Sequence, residues 1–328
     1  IDLPEKWNGG LIVYCHGYSP APGSYDNPKP SAFVEILVGE GYAVAQSGYA
    51  AGGWAIQEAV QDTEALRRYF GRKYGTPKET FVTGHSMGGF LTMTLLEMFP
   101  NSYDGGLALC GPLADARWFM HRRVFDMRVV FDYYFPGALP SPVKAPADYA
   151  VAPQRNQEIE KALDGQPEKA SAMRRWSGIR TNKELAGTLV FFTFILKDLQ
   201  QRSGGNAFDN RNTIYEGTDA DDALNDGVAR YKGDPAAMSY LERYYAPTGK
   251  LTRPMLAIHT TYDPLVPPWV TNAYAKLAEG AGSEARFVQQ YVKRGGHCAI
   301  APQEIGRGIG QLKKWKDEGA RPPAGAAQ

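Results

Sequence analysis

The first third of the chain alternates short, unbroken apolar runs with segments whose apolar positions recur on a helical period. Leu11-Ile12-Val13-Tyr14-Cys15 is continuously apolar and stops at His16-Gly17, the pattern of a strand buried on both faces. Ala43-Val44-Ala45 repeats it. From Ile56, positions Ala59, Val60, Thr63, Leu66 and Phe70 fall on one helix face, and Gly75-Thr76-Pro77 ends that helix. Thr80-Phe81-Val82-Thr83 predicts a strand, Met87, Leu91, Leu95 and Met98 a helix face, and Leu107-Ala108-Leu109-Cys110 a further strand closed by Gly111-Pro112. Strands alternating with helices predict a mostly parallel sheet with helices on both faces.

The rhythm breaks over residues 113–250. "PGALPSPVKAPADYAVAP" reads as loop, "RWSGIRTNKELAGTLVFFTFILKDLQQR" as mostly helix, and "NAFDNRNTIYEGTDADDALNDGVARYKGDP" as a surface excursion followed by a short helix. Alternation returns with a strand over Pro254-Met255-Leu256-Ala257-Ile258, a helix face at Val270, Ala273, Tyr274 and Leu277, and a last strand from Phe287 to Val292. Ile305, Ile309, Leu312 and Trp315 mark a final helix, and "GARPPAGAAQ" reads as a disordered tail. One α/β domain (1–112 and 251–328) split by a helical insertion (113–250) explains this better than two independent domains, because the strands on either side share one pattern.

Composition changes this picture little. A chain of 328 residues buries a large core without a disulfide or metal staple. A net charge of +1 argues against nucleic acid as a main partner, and His121-Arg122-Arg123 reads as solvated surface. The longest apolar run, Leu189 to Leu196, is too short for a membrane span. Cys15, Cys110 and Cys298 lack any CxxC spacing, so neither a zinc site nor a dithiol centre is expected; they allow at most one bridge and read foremost as small buried hydrophobes. The chain starts at Ile1 rather than Met and enters a strand almost at once. A removed upstream segment, such as a secretion signal, is therefore expected, with a secreted or periplasmic location; a cytoplasmic one stays open, as does the oligomeric state.

Chemistry enters at Gly84-His85-Ser86-Met87-Gly88, a G-x-S-x-G match between a strand and a helix. That strand–turn–helix setting is what a nucleophile elbow requires, with small residues two before and two after the serine. A serine hydroxyl needs a base within hydrogen-bond reach and a carboxylate that orients the base. Histidines stand at 16, 85, 121, 259 and 297; His297 lies in "KRGGHCAI" after the last predicted strand. Asp263 follows the strand of "LAIHTTYDPLVPP", and Asp115 is the reserve acid. An oxyanion hole needs two backbone N–H groups: Met87, next to the nucleophile, and Tyr18 of "HGYSPAPG" are the candidates. No cofactor or metal is required.

The residues "YCHGY", "TGHSMGG", "YDPLVP" and "GGHC" together resemble the α/β-hydrolase superfamily, in its serine esterase/lipase-like branch, over about residues 9–112 and 251–316. The resemblance implies the chain order Ser86, Asp263, His297 for nucleophile, acid and base, an eight-stranded core in most members, and a lid inserted where residues 113–250 stand. The usual first hairpin is absent, shortened or upstream of Ile1. The expected activity is hydrolysis of a small-molecule carboxylic ester through an acyl-enzyme (a carboxylesterase, EC 3.1.1), with a mild preference for apolar or aromatic acyl groups. The insertion has only its share of the aromatics, so clusters such as Phe131, Tyr133, Tyr134, Phe135 and Phe191, Phe192, Phe194 read mostly as lid core. An acyltransferase, thioesterase or peptidase would use the same triad, and a non-catalytic binding protein is the third alternative. Ser86 excludes the Asp nucleophile of epoxide hydrolases and dehalogenases.

Overall fold

The structure is a computed structural model that describes residues 1–25 and 29–327. The chain divides into two compact units, residues 1–114 with 247–328 and residues 115–246.

The first unit is built on a seven-stranded parallel sheet. Its elements are β1 (Gly10–Cys15), α1 (Ala32–Gly39), β2 (Ala43–Gln46), α2 (Ile56–Tyr74), β3 (Glu79–His85), α3 (Met87–Met98) and β4 (Gly105–Leu109). The second unit carries α4 (Ala116–Phe119), a π-helical segment (Met120–Phe125), α5 (Asp126–Tyr134), α6 (Pro153–Asp164), α7 (Pro167–Ser177), α8 (Asn182–Ser203), α9 (Asp221–Gly227) and α10 (Pro235–Arg243). The chain then returns to the first unit with β5 (Met255–Tyr262), α11 (Trp269–Gly280), β6 (Phe287–Gly295), α12 (Pro302–Glu318) and β7 (Gly325–Ala326). The sheet order is β2-β1-β3-β4-β5-β6-β7, and every pairing is parallel.

Both faces of the strands are buried, which is why they read as unbroken apolar runs. On one face Ile12, Phe81, Leu107, Leu256 and Val288 join Ile305, Ile309, Leu312 and Trp315 of α12 and Val34 and Leu37 of α1 in a single core. On the other face α2 packs on α3, and Tyr274 of α11 donates its hydroxyl hydrogen to Glu97 of α3 at 2.7 Å. This is the mostly parallel sheet with helices on both faces that the alternation of strands and helices predicts.

Two expectations about the ends of the chain need correcting. The last strand is not β6, which itself runs to Gly295, and the tail is not disordered. The Arg321 guanidinium donates to the carbonyl of Phe287 (2.8 Å), the Ala327 amide donates to Tyr291 (2.9 Å), and β7 adds to the sheet edge. The basic run 121–123 is not plain surface either: Arg123 is buried and donates to the Ser177 carbonyl, and His121 and Arg122 both lie 3.4 Å from the buried Asp126 carboxylate. Within the second unit α8 opens on a reciprocal cap between Thr181 and Glu184. Phe131 and Phe135 stack at 5.1 Å and are buried.

The tightest packing lies where β1 meets the turn after β3. A Cβ on Gly84 or on Gly88 would collide with the Cys15 carbonyl oxygen, a backbone atom that cannot swing away. Gly88 lies in the first turn of α3, where alanine would ordinarily favour the helix by about 1 kcal/mol. Overpacking reverses that sign. Gly88→Ala is expected to destabilise the fold by roughly 3 kcal/mol, measured as a lower urea midpoint at unchanged m; equal or higher stability would contradict the packing described.

Candidate active site

Ser86 sits at φ 56°, ψ −119° between β3 and α3. A non-glycine residue holds such a left-handed φ only where its surroundings enforce it. Two features do so. Gly84 and Gly88 let the turn close against β1, and the Ser86 amide donates to the Leu109 carbonyl at the end of β4 (2.9 Å). The hydroxyl is thereby presented at the carboxyl ends of the strands.

His297 comes from the loop after β6, and its Nε2 lies 2.9 Å from Ser86 Oγ. Its Nδ1 lies 2.7 Å from Asp263 Oδ2. Asp263 is 3% exposed and follows a register shift of β5 against β6 between Thr260 and Tyr262, an irregularity that re-aims the chain as it leaves the sheet. Its other oxygen accepts from the amides of Leu265 (2.8 Å) and Val266 (2.9 Å). Burial alone would raise this carboxyl, but the hydrogen bond and charge of His297, with the Val266 amide, outweigh it and hold it below the usual aspartate range. A carboxylate facing Nδ1 fixes the proton there and leaves the Nε2 lone pair toward Ser86.

The structure therefore brings Ser86, His297 and Asp263 into one hydrogen-bonded line. Asp115, the reserve acid, instead caps α4 by accepting from the Trp118 amide (2.9 Å). Met87 opens α3, where a first-turn amide has no intrahelical acceptor. Gly17 lies beside Ser86, since a Cβ on it would stand 3.4 Å from the Ser86 Cβ, and Tyr18 follows it in the chain.

Three other histidines do different work. His85 Nδ1 is 3.0 Å from the Tyr14 hydroxyl; burial above all, and then the charge of His297, pushes its pKa down to about 4. Burial likewise lowers His259, whose Nδ1 donates to the Thr260 carbonyl (3.0 Å). His16 stacks on Tyr49 at 4.0 Å and donates from Nδ1 to the Gly17 carbonyl. Burial also pushes the free Cys15 thiol up to about 12, so it stays protonated at neutral pH.

The cysteines differ from expectation: Cys110 and Cys298 are bonded to each other across 188 residues of sequence. Their Cα atoms lie 5.2 Å apart, and only the folded sheet supplies that proximity. Sequence reasoning also missed the Tyr14–His85 pair, for which the one available signal was a histidine inside the elbow motif.

Residues 8–301 match the family described as "serine aminopeptidase, S33". The chain belongs to that family. It is a serine hydrolase of the α/β-hydrolase type. No curated protein matches it in sequence. Among solved structures it is similar to a monoacylglycerol lipase of Paleococcus ferrophilus (16% identity, 96% of this chain and 95% of that one, TM-score 0.46). It is also similar to the esterase Pf2001 of Pyrococcus furiosus (13%, 93% and 80%, 0.48). A third is the acylaminoacyl peptidase of Pyrococcus horikoshii (13%, TM-score 0.46), where 96% of this chain spans 37% of the other. Among the described residues no helix is long and apolar enough to cross a membrane.

The low pKa of His85 has a consequence for stability. Unfolded, the ring titrates near 6.5; folded, near 4. The unfolded chain therefore binds more protons between these values, and stability falls as pH drops from about 6.5 through 4. The thermal midpoint of the wild type should fall more steeply between pH 7 and 4 than that of His85→Gln. Parallel curves would show that His85 is not held neutral.

Proposed function

We propose that the protein hydrolyses carboxylic esters through an acyl-enzyme. The observation that carries this is the unbroken line from Ser86 Oγ through His297 to the buried Asp263 carboxylate, at 2.9 and 2.7 Å. In the acylation step His297 Nε2 takes the Ser86 proton as Oγ bonds to the acyl carbon. The negative charge moves to the former carbonyl oxygen, which the Met87 and Tyr18 amides stabilise. Collapse breaks the bond to the alcohol, which leaves with the proton from His297. Water then repeats the sequence and frees the acid. Asp263 stays ionised throughout and stabilises the imidazolium. No cofactor or metal takes part.

Among small-molecule esters the expected preference is a mild one for apolar or aromatic acyl groups. Residues 113–250 are the lid, a role supported by their place in the chain between β4 and β5 and by the exclusion of water that acyl chemistry favours. The Cys110–Cys298 bond supports a secreted or periplasmic location, since such bonds persist in oxidising compartments. The second reading, amide cleavage by a peptidase, is favoured by the description of the family itself.

A panel of p-nitrophenyl esters and amino-acid p-nitroanilides separates the two. The esters are expected to turn over, with kcat/KM at least tenfold above any anilide; the reverse order would favour the peptidase. On the best ester, Ser86→Ala should lower kcat by at least about 10⁴-fold, and Asp263→Asn by about 10⁴-fold with little change in KM. Wild-type turnover in Ser86→Ala would overturn the assignment.

A further inference from the structure

We infer that the Cys110–Cys298 disulfide is a positioning element for the general base, setting the distance between His297 and Ser86. The inference rests on the triad reading above and adds residues to it. Cys298 directly follows His297, and its sulfur lies 3.5 Å from His297 Nε2, the atom that faces Ser86. The bond therefore touches the reacting nitrogen as well as the loop that carries it.

Its other end is as well placed. Cys110 is the first residue after β4, and its amide donates to the Ile258 carbonyl of β5 (2.9 Å). The residue before it, Leu109, supplies the carbonyl that holds the Ser86 amide (2.9 Å). Two adjacent residues at the end of β4 thus reach both partners, Leu109 the Ser86 amide by a hydrogen bond and Cys110 the neighbour of His297, Cys298, by a covalent bond. Gly89 and Gly111 let this strand end approach α3, since a Cβ on Gly111 would stand 2.8 Å from the Gly89 backbone.

Backbone conformation points the same way. Among the described residues the non-glycine residues with left-handed φ are Tyr49, Ser86, Cys110 and Cys298. Two of these four are the bonded cysteines, and a third is the nucleophile they bring to its base. An L-residue keeps such a φ when something external holds it. At Cys298 the holding matters most, because a change of its φ swings the peptide carrying His297. Other contacts fix the flanks of the loop: Gly296 donates to Tyr262 (2.9 Å), and Arg294 binds the Ala299 carbonyl and Glu304. The disulfide fixes the point between them. A proton transfer that needs the serine and imidazole at hydrogen-bond distance is sensitive to displacements of about 1 Å, which cost up to about 10²-fold in rate.

The test is the variant C110A/C298A, which breaks the bond without leaving a thiol beside His297. It is assayed on an ester that the wild type hydrolyses, well below the variant's thermal midpoint. Positioning predicts kcat reduced at least tenfold, KM within about twofold of the wild type, and unchanged far-UV circular dichroism. A bond that only staples the fold predicts a lower thermal midpoint with kcat unchanged, and that result overturns the inference. If the variant does not fold, native wild-type protein is reduced at 10 °C with a water-soluble phosphine, which is oxidised to its oxide as water supplies the oxygen and the two thiol protons. Activity lost ahead of ellipticity supports positioning; activity falling in step with ellipticity overturns it. A wild type that hydrolyses no ester would instead fail the triad reading itself, an outcome distinct from an active wild type matched by its disulfide-free variant.

Discussion

The site depends on one close approach: the carbonyl of Cys15, at the end of β1, meets the backbone of Gly84 and Gly88 with no room for a side chain. That contact lets the chain reverse from β3 into α3 within a single residue. Ser86 is left with a strained backbone and a hydroxyl clear of the helix. The strain is balanced by sheet pairing on both sides, Cys15 with Gly84 and His85 with Leu109. A rigid parallel sheet is what makes a sharp turn at its edge reproducible, and the loops after β5 and β6 take their positions from the same strand ends.

Electrostatics around Ser86 follow from burial more than from charge. Among the described residues the carboxylate on the Ser86–His297 line is Asp263, which is sunk in the protein yet keeps its charge because two amides and an imidazole face it. His85 and His259, both close enough to His297 to influence one another, are held neutral by burial. A second imidazolium would oppose the one that the proposed acyl transfer forms on His297. The burial that costs stability at acidic pH is thus what keeps competing positive charge out of the site.

Much of the fold was legible because buried parallel strands have no alternative pattern: "LIVYC" and "LALC" must be hidden on both sides. The juxtaposition of Ser86, Asp263 and His297 was legible from the spacing of two glycines around Ser86, which the structure gives a steric reason, and from the places of Asp263 after β5 and His297 in the loop after β6. Long-range pairing was not legible. Nothing in the sequence near Cys110 points to Cys298, since the bond depends on a 5.2 Å separation that exists only after β4 and β6 are in the same sheet. The tail misled because its prolines and glycines have the composition of disorder. What holds it is side-chain and backbone bonding to β6 and its start, including the Arg321 guanidinium on the Phe287 carbonyl, which composition does not show. Arg123 misled likewise, since a run of cations has no local sign of which one finds a buried carbonyl.

The central claim is that Ser86 is a nucleophile activated by His297. Its most direct test is covalent: the folded protein is treated with a fluorophosphonate, and the adduct is located by peptide mass spectrometry. The account predicts one adduct, on the peptide that contains Ser86, with labelling slowed by orders of magnitude in His297→Ala. A folded protein that takes up no label, or takes it up on a residue other than Ser86, would contradict it.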